Sequence, residues 1–332
     1  MFNLLLTSVG RRVELVRSFR RAYGALGLAG RIVATDIDSL APAMHVVDGA
    51  HLVPKVHSPD YIPALVALCE EESINLVLPL IDPDIPVLAD HRGQIEATGA
   101  TLGVVTSTGA AISGDKWLAC KFFRELGLAT PDSWLPDPLD QIPDQFPLFI
   151  KPRNGSAAQN AFPLRTRDEL RFFSKYVPNP IIQQHLDGPE ITSDVVCDTQ
   201  GNVQAVVSRR RIAVRSGEAI KSVTMDDPRI QEACVEIARA LPAIGPITVQ
   251  CMMHEGQPHF IEINARLGGG VPLAIAAGVD IPQLILAAST GQWQPTGHLP
   301  AYQVGLHMTR FDESFFLGEC ERAELPRDYL RS

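Results

Sequence analysis

The segment Phe260-Ile-Glu262-Ile-Asn264-Ala-Arg266 sets a carboxylate, an amide and a guanidinium two residues apart. On a strand, period-two alternation puts Glu262, Asn264 and Arg266 on one face and Ile261, Ile263 and Ala265 on the other. Gln250, on a preceding strand-like run, can face the same side across a hairpin turning at Glu255-Gly256-Gln257. Oxygen-bearing side chains gathered on one surface suit a hard cation such as magnesium, which takes its remaining ligands from phosphates and water. Arg266 beside them could fork onto an anion. The same alternation also suits a polar, solvated hairpin face. The run Gly268-Gly-Gly270 that follows permits close backbone approach or positive φ.

Other segments offer phosphate and nucleotide chemistry. Phe149-Ile-Lys151 delivers a lysine at the end of an apolar run, and a small-residue loop, Asn154–Asn160, follows. Loop N–H groups can wrap phosphate oxygens while the lysine supplies a point charge; the Walker pattern GxxxxGK[ST] is absent. Ile181–Glu190 reads as a strand entering a polar hinge, where backbone groups could meet a base edge and Glu190 ribose hydroxyls. Ser113 is a plausible helix N-cap that puts Lys116 in the first turn, where a cation opposes the helix dipole and gains from a nearby anion. Ser208–Lys221 carries Arg209, Arg211 and Arg215 on one side of a strand, a cationic row suited to a carboxylate or phosphate. Each of these also fits an ordinary turn, surface lysine or solvated edge strand.

The elements that would hold these residues change character along the chain. The first hundred residues alternate strand and helix: strands at 3–8, 31–35, 51–54, 74–79 and 101–105, helices at 13–26, 61–72 and 85–98. That alternation predicts a parallel sheet covered on both faces, with ligands at the carboxyl ends of its strands, where Gly10 and Asp36 fall. A helix is expected from about Ser113 and a proline-rich connector at 131–147. Beyond it the pattern is strand-rich (148–151, 181–185, 192–197, 203–214, 247–254, 258–264, 303–310), with helices near 168–176, 229–241 and 282–290.

Composition bounds the function. The 332 residues are 45% hydrophobic and 20% charged, with a formal charge of −9. That size supports two or three compact units without staples, and the acidic balance disfavours nonspecific nucleic-acid binding. Six scattered cysteines form no CxxC pair, against a zinc site or disulfide framework. Neither a signal-peptide pattern nor an 18-residue apolar run occurs, so the expectation is a cytoplasmic protein with no membrane partner.

Taken in order, Lys116, Lys151 with its loop, the Gln183–Glu190 hinge, Gln250 and Glu262-Ile-Asn264-Ala-Arg266 resemble the ATP-grasp superfamily. Thr7-Ser-Val-Gly-Arg-Arg12 and Gly268–Leu273 are similar to the single-module proteins related to the carbamoyl-phosphate synthase large subunit. The resemblance covers roughly residues 1–290. It implies an α/β and α+β chain: a Rossmann-like pre-ATP-grasp domain (1–106), a two-lobed ATP-grasp domain (107–300, its nucleotide-binding lobe about 107–187 and catalytic lobe about 188–300), and a C-terminal extension (301–332). It implies ATP and Mg2+, with Mn2+ as a substitute. Lys116 and Lys151 would meet ATP phosphates, and Gly155, Ser156 and Ala157 would form a flap. Gln183, Gln184 and Leu186 would meet the adenine, and Glu190 the ribose. Gln250, Glu262 and Asn264 would hold the metal. Arg266, Lys151 and Lys221 are the candidate catalytic cations. Arg11, Arg12, Arg211 and Arg215, with Asp36, Asp82 and Asp84, are candidates for substrate. Gln184 stands where many members carry glutamate, and the flap is poorer in glycine than usual.

The activity so implied is ATP-dependent activation of a carboxylate for attack by an amine or similar small nucleophile. The alternatives are a carbamoyl-phosphate-synthase-like enzyme acting on bicarbonate or carbamate, and a non-catalytic ATP-binding protein. A dinucleotide oxidoreductase is disfavoured because the loop after the first strand, Ser-Val-Gly-Arg-Arg-Val, lacks GxGxxG. Oligomeric state stays open, a homodimer included.

Overall fold

A computed structural model describes residues 1–155, 159–215, 217–293 and 297–318. The first unit is a five-stranded parallel sheet of order β3-β2-β1-β4-β5, built from β1 (Leu4–Thr7), β2 (Ile32–Asp36), β3 (Gly49–Leu52), β4 (Leu76–Pro79) and β5 (Thr101–Leu102). Leu4, Leu5 and Leu6 are all fully buried, which is why β1 is an unbroken apolar run and not an alternating one. Helices α1 (Val13–Leu26), α2 (Tyr61–Glu71), α3 (Asp84–Asp90) and α4 (Arg92–Glu96) cover the sheet. The single helix expected at 85–98 is therefore two. His91 leaves the helical region, and both its backbone N–H and its Nδ1, the latter at 2.8 Å, reach Val87 O at the end of α3.

Two helices follow, α5 (Ser107–Gly114) and α6 (Lys116–Glu125), then a small antiparallel sheet of order β6-β9-β7-β8. Its strands are β6 (Ser133–Trp134), β7 (Leu148–Pro152), β8 (Phe162–Leu164) and β9 (Pro180–Gln184), backed by α7 (Arg167–Tyr176). This lobe has its own small core of Ile142, Leu148, Ile150, Leu164, Leu170, Val177 and Ile182.

The third sheet has order β14-β13-β10-β11-β12-β15 and is antiparallel throughout. It comprises β10 (Glu190–Cys197), β11 (Val203–Arg215), β12 (Glu218–Met225), β13 (Gly245–His254), β14 (Gln257–Asn264) and β15 (His307–Thr309), with α8 (Pro228–Ala240), α9 (Val271–Ala276) and α10 (Ile281–Ser289). The β13–β14 turn is the expected one: Glu255 (φ 49°) and Gly256 (φ 75°) form a two-residue connection of the primed kind. Sequence patterning missed β12, whose polar residues read as the tail of the cationic stretch, and α9, a short helix opened by Pro272. The strand expected at 303–310 shrinks to three residues, because Gly305 (φ 80°) turns the chain just before it.

One apolar cluster runs from Leu5, Val33 and Val77 of the first sheet through Phe123 to Ile247, Phe260 and Ile263 of the third. A second joins Leu4, Leu6 and Phe19 to Val207 and Leu286. The first and third sheets thus share their core, and the small lobe stands on its own.

Candidate active site between the small lobe and the large sheet

A cavity of about 720 Å³ lies between β7 and β9 on one side and β13 and β14 on the other. Its polar end begins on the hairpin. Gln250 stands directly opposite Glu262, and Thr248 opposite Asn264. Between Gln250 and Cys251 the register slips by one residue, so that Phe260 and not Ile261 faces Cys251. This bulge corrects the simple alternation: Ile261 lines the cavity together with Glu262, whereas Ile263 and Ala265 stay buried. Gln250, Glu262, Asn264 and Arg266 all line it.

Two lysines face this hairpin. Lys151, on β7, shares a face with Phe149 two residues earlier, and both line the cavity. Desolvation pulls its pKa below the ordinary lysine value; Glu262 opposes that shift and Lys116 adds to it. Lys116 is the first residue of α6 and is buried. Its Nζ donates to Gly155 O at 2.7 Å and lies 3.8 Å from Glu262 Oε1.

The cap of that helix differs from expectation. Ser113 belongs to the last turn of α5, which Thr106 caps, and Asp115 caps α6 by accepting from Trp117 N and Leu118 N. Burial would raise the Asp115 pKa, but Arg153 and the capping N–H groups hold it below the usual carboxylate range. Arg153 O accepts from Lys116 N, and Asn154 Nδ2 donates to Gly114 O at 2.8 Å. The α5–α6 junction thus clamps the start of the loop that follows β7. Gly155 lines the cavity; Ser156 and Ala157 lie outside the described residues.

Gln183, Gln184, Leu186 and Glu190 also line the cavity. The Gln183 amide nitrogen is taken by Ser133 Oγ at 2.9 Å and Cys120 Sγ at 3.3 Å, which makes it an anchor of β9 against α6. The Gln184 amide lies 3.4 Å from His254 Nε2. Patterning overlooked the apolar walls, Phe149, Met252 and Ile261; the period-two spacing of Phe149 and Lys151 carried the signal for the first of them.

The cationic row proves to be neutralised. Arg209 is buried against Asp194, Arg211 pairs with Glu190, and Arg215 pairs with Asp312 at 2.9 Å. Only Arg211 of these lines the cavity. Lys221 is exposed on β12 and outside the lining, so the structure does not bring it to Lys151 and Arg266. Arg11 is exposed and meets Asp312, whereas Arg12 is largely covered and meets Glu218. Asp36 accepts from Gly10 N at 2.8 Å and shapes the loop after β1. Asp84 is fully buried and accepts from Thr7 Oγ1 at 2.6 Å. Asp82 takes Arg266 at 2.7 Å. The glycine run serves close approach, not positive φ: a Cβ on Gly270 would stand 2.0 Å from Arg209 Nε, and one on Gly269 3.1 Å from Arg12 Nη1.

The donor set can be weighed against a metal. Among the described residues no three His, Cys, Asp or Glu side chains gather. One carboxylate flanked by two amides, with lysines opposite, fits a magnesium ion that brings phosphate and water as its other ligands.

Residues 4–103 match the family model of the PylC-like N-terminal domain, and residues 177–313 the model of ATP-grasp proteins in the biosynthetic pathway with Ter operon. Over these segments the chain is similar to PylC-like and ATP-grasp proteins. It is 26% identical to the 3-methyl-D-ornithine–L-lysine ligase of Methanosarcina mazei over 193 residues, which cover 57% of this chain and 48% of that protein. It is 23% identical to the carbamoyl phosphate synthase large chain of Thermomicrobium roseum over 257 residues, 69% of this chain and 22% of that one. The matches therefore span less than half of either relative. Among solved structures, an L-amino acid ligase from Bacillus licheniformis superimposes with a TM-score of 0.70 at 20% identity, covering 88% of this chain and 76% of its own. The biotin carboxylase domain of a Hydrogenobacter thermophilus 2-oxoglutarate carboxylase, in complex with MgADP and bicarbonate, gives 0.72 at 18%, covering 92% and 73%. No helix among the described residues is long and apolar enough to cross a membrane.

Proposed function

We propose that the protein is an ADP-forming ligase that activates a carboxylate with ATP and passes the acyl group to an amine or similar nucleophile. The observation that carries this reading is the convergence of Lys116, Lys151, Gln250, Glu262, Asn264 and Arg266 on one cavity that Gln184, Leu186 and Glu190 also line. In this reading the adenine lies against Gln184 and Leu186, and Glu190, steadied by Arg211, takes the ribose. Lys116 and Lys151 hold the phosphates, and Gly155 with its neighbours covers them. Gln250, Glu262 and Asn264 are the metal donors; the metal, when bound, supplies charge neutralisation on the phosphates.

A carboxylate oxygen attacks the γ-phosphorus, the bond to the β-phosphate oxygen breaks, and ADP leaves. The amine nitrogen then attacks the acyl carbon, phosphate departs, and a phosphate oxygen takes the surplus N–H proton. The protein's share is positioning and charge neutralisation, with Arg266 beside the developing negative charge. The relatives named above include ligases that join amino acids, which supports this reading.

The division into 1–106, 107–187, 188–300 and 301–332 belongs to the same proposal. So do small-molecule substrates, a cytoplasmic setting, in keeping with five buried free thiols, and the option of a homodimer. The test is ADP release across a panel of carboxylates crossed with amines. Dependence on both substrates, abolished by Glu262→Ala, is expected. Turnover retained in that variant would sink the metal assignment, and stimulation by bicarbonate alone would favour a carboxyphosphate-forming enzyme.

A further inference from the structure

Three arginines from distant parts of the chain converge beside the cavity. Arg12 ends the β1–α1 loop, Arg266 follows β14, and Arg310 follows β15. Glu218 ties two of them together: its Oε1 lies 3.2 Å from Arg12 Nη1, and its Oε2 3.1 Å from Arg310 Nη1. Arg310 also donates to Gly269 O. Arg266 donates to Asp82 at 2.7 Å. Burial lowers the Arg12 pKa; Glu218 and Asp82 counter it, and Arg266 and Arg310 add to it, so all five charges act on one place. Three guanidiniums against two carboxylates leave one positive charge in excess.

The place is also where an α/β sheet forms a crevice. In the order β3-β2-β1-β4-β5 the direction of winding reverses between β1 and β4. Loops leaving the carboxyl ends of those two strands diverge and open a ligand-sized gap. Arg12 comes from the first of these loops and Asp82 from the second. Arg266 belongs to this crevice and to the cavity wall at once. The Nε atoms of Arg266 and Arg310 are buried without an acceptor among the described residues. Leaving a buried cationic donor unpaired is costly, and a ligand oxygen would relieve it. Glu218 is the loosest member, its side chain 47% exposed against 19% for Arg12 and 24% for Arg310. Such half-exposed ion pairs are weak and readily exchanged.

We propose that this crevice is an anion subsite for the acid substrate, so that the molecule activated beside Arg266 carries a second carboxylate, gripped by Arg12 and Arg310 in place of Glu218. The inference rests on the ligase reading and specifies its substrate class as a dicarboxylic acid. Two forked guanidiniums suit a planar carboxylate better than lysines would, because each can offer two parallel N–H donors. Sequence patterning reached Arg12 but not Arg310, at the end of a strand-like run, or Glu218, inside the Ser208–Lys221 stretch singled out only for its cations.

The test uses the full chain, MgATP and hydroxylamine as a small nucleophile, with acids paired by chain length: succinate against butyrate, glutarate against valerate, adipate against hexanoate. At one chain length or more the diacid is expected to win by at least tenfold in kcat/KM. Arg12→Ala and Arg310→Gln should remove the discrimination, chiefly by raising the diacid KM about 10- to 100-fold, the size of a lost charged hydrogen bond. Glu218→Gln, which frees the two guanidiniums, should lower that KM, a change of opposite sign that damage to the fold cannot produce. Equal use of both members in every pair, or discrimination unchanged in the variants, overturns the subsite and leaves the ligase reading standing. Diacid binding in calorimetry that Arg310→Gln abolishes, with no ADP release from any acid, keeps the subsite and overturns the ligase reading. Neither binding nor turnover overturns both.

Discussion

Lys116 Nζ lies 3.8 Å from Glu262 Oε1 and 2.7 Å from Gly155 O. One ammonium therefore touches the hairpin carboxylate and the loop that leaves β7, and it does so from the first residue of a helix. A cation at a helix N-terminus works against the dipole. Glu262 and Asp115 offset that cost here, and an anionic ligand entering the cavity would offset it further.

Glu262→Gln keeps the shape of the side chain and removes its charge. ADP release is expected to fall steeply and the magnesium requirement to rise by more than the roughly 10- to 100-fold that loss of even an outer partner of a metal ligand costs. A magnesium titration of initial rates checks this; an unchanged midpoint would remove Glu262 from the metal assignment.

Lys151→Ala should lower kcat by about 10²–10³, as when one preorganised donor is lost from a transition state. Protection of the fold by ATP should weaken in the same variant, since a ligand at 100 times its Kd raises stability by about 2.7 kcal/mol. Thermal melts with and without MgATP read both effects, and equal protection of wild type and variant would place the phosphates elsewhere.

Asp84 gives a pH signature. Burial pushes its pKa up to about 6, partly countered by the hydrogen bond from Thr7. A carboxyl raised above its unfolded value stabilises the fold fully below the unfolded pKa of about 3.8 and loses that contribution as pH climbs through 6. Asp84→Asn should therefore be more stable than wild type at pH 8, by at most about 3 kcal/mol, and should lose this advantage towards pH 4. Melting curves across that range decide it; a variant less stable than wild type at pH 8 would contradict the assignment.

Asp115 behaves in the opposite sense. Its pKa is held low by Arg153 and by the capped N–H groups against the effect of burial, so its contribution is present above the unfolded value and vanishes as pH falls through the folded one. Asp115→Ala should cost about 0.5–2 kcal/mol at neutral pH, the range for a lost N-cap, and weaken ATP binding by releasing Lys116 and Arg153. Chemical denaturation alongside ATP calorimetry separates the two losses. A variant with unaltered stability would mean the cap does not carry the α6 terminus.

Gly270→Ala tests the glycine run. The new methyl would meet Arg209 Nε at 2.0 Å and push it from Asp194. Overpacking of this kind costs about 1–3 kcal/mol. A melting temperature equal to wild type would show that the buried pair can shift freely.

Much of this was legible in the chain. The strand–helix alternation of the first hundred residues exposed the parallel sheet, because buried parallel strands are apolar on both faces. The Glu255-Gly256 turn announced the hairpin through its tolerance of positive φ. Gln250, Glu262 and Asn264 were reachable because one turn sets their register. The bulge that turns Ile261 to the cavity was not, since a register slip depends on the partner strand. The Arg209–Asp194 pair was equally hidden: a row of cations on a strand looks the same whether water or a buried carboxylate faces it. Arg310 follows the short edge strand β15 and Glu218 opens β12, and only the tertiary arrangement gives them meaning.

The separate core of the small lobe has a consequence for how the molecule breathes. Because the first and third sheets share continuous apolar clusters, they should melt as one cooperative block. The lobe carrying Lys151 and Gln183 has few buried side chains of its own, and it can open while the block stays intact. Amide protons of β7 and β9 should accordingly exchange with solvent through a cheaper, sub-global opening than those of β1 or β10. That opening would widen the cavity that Lys151 and Gln183 line.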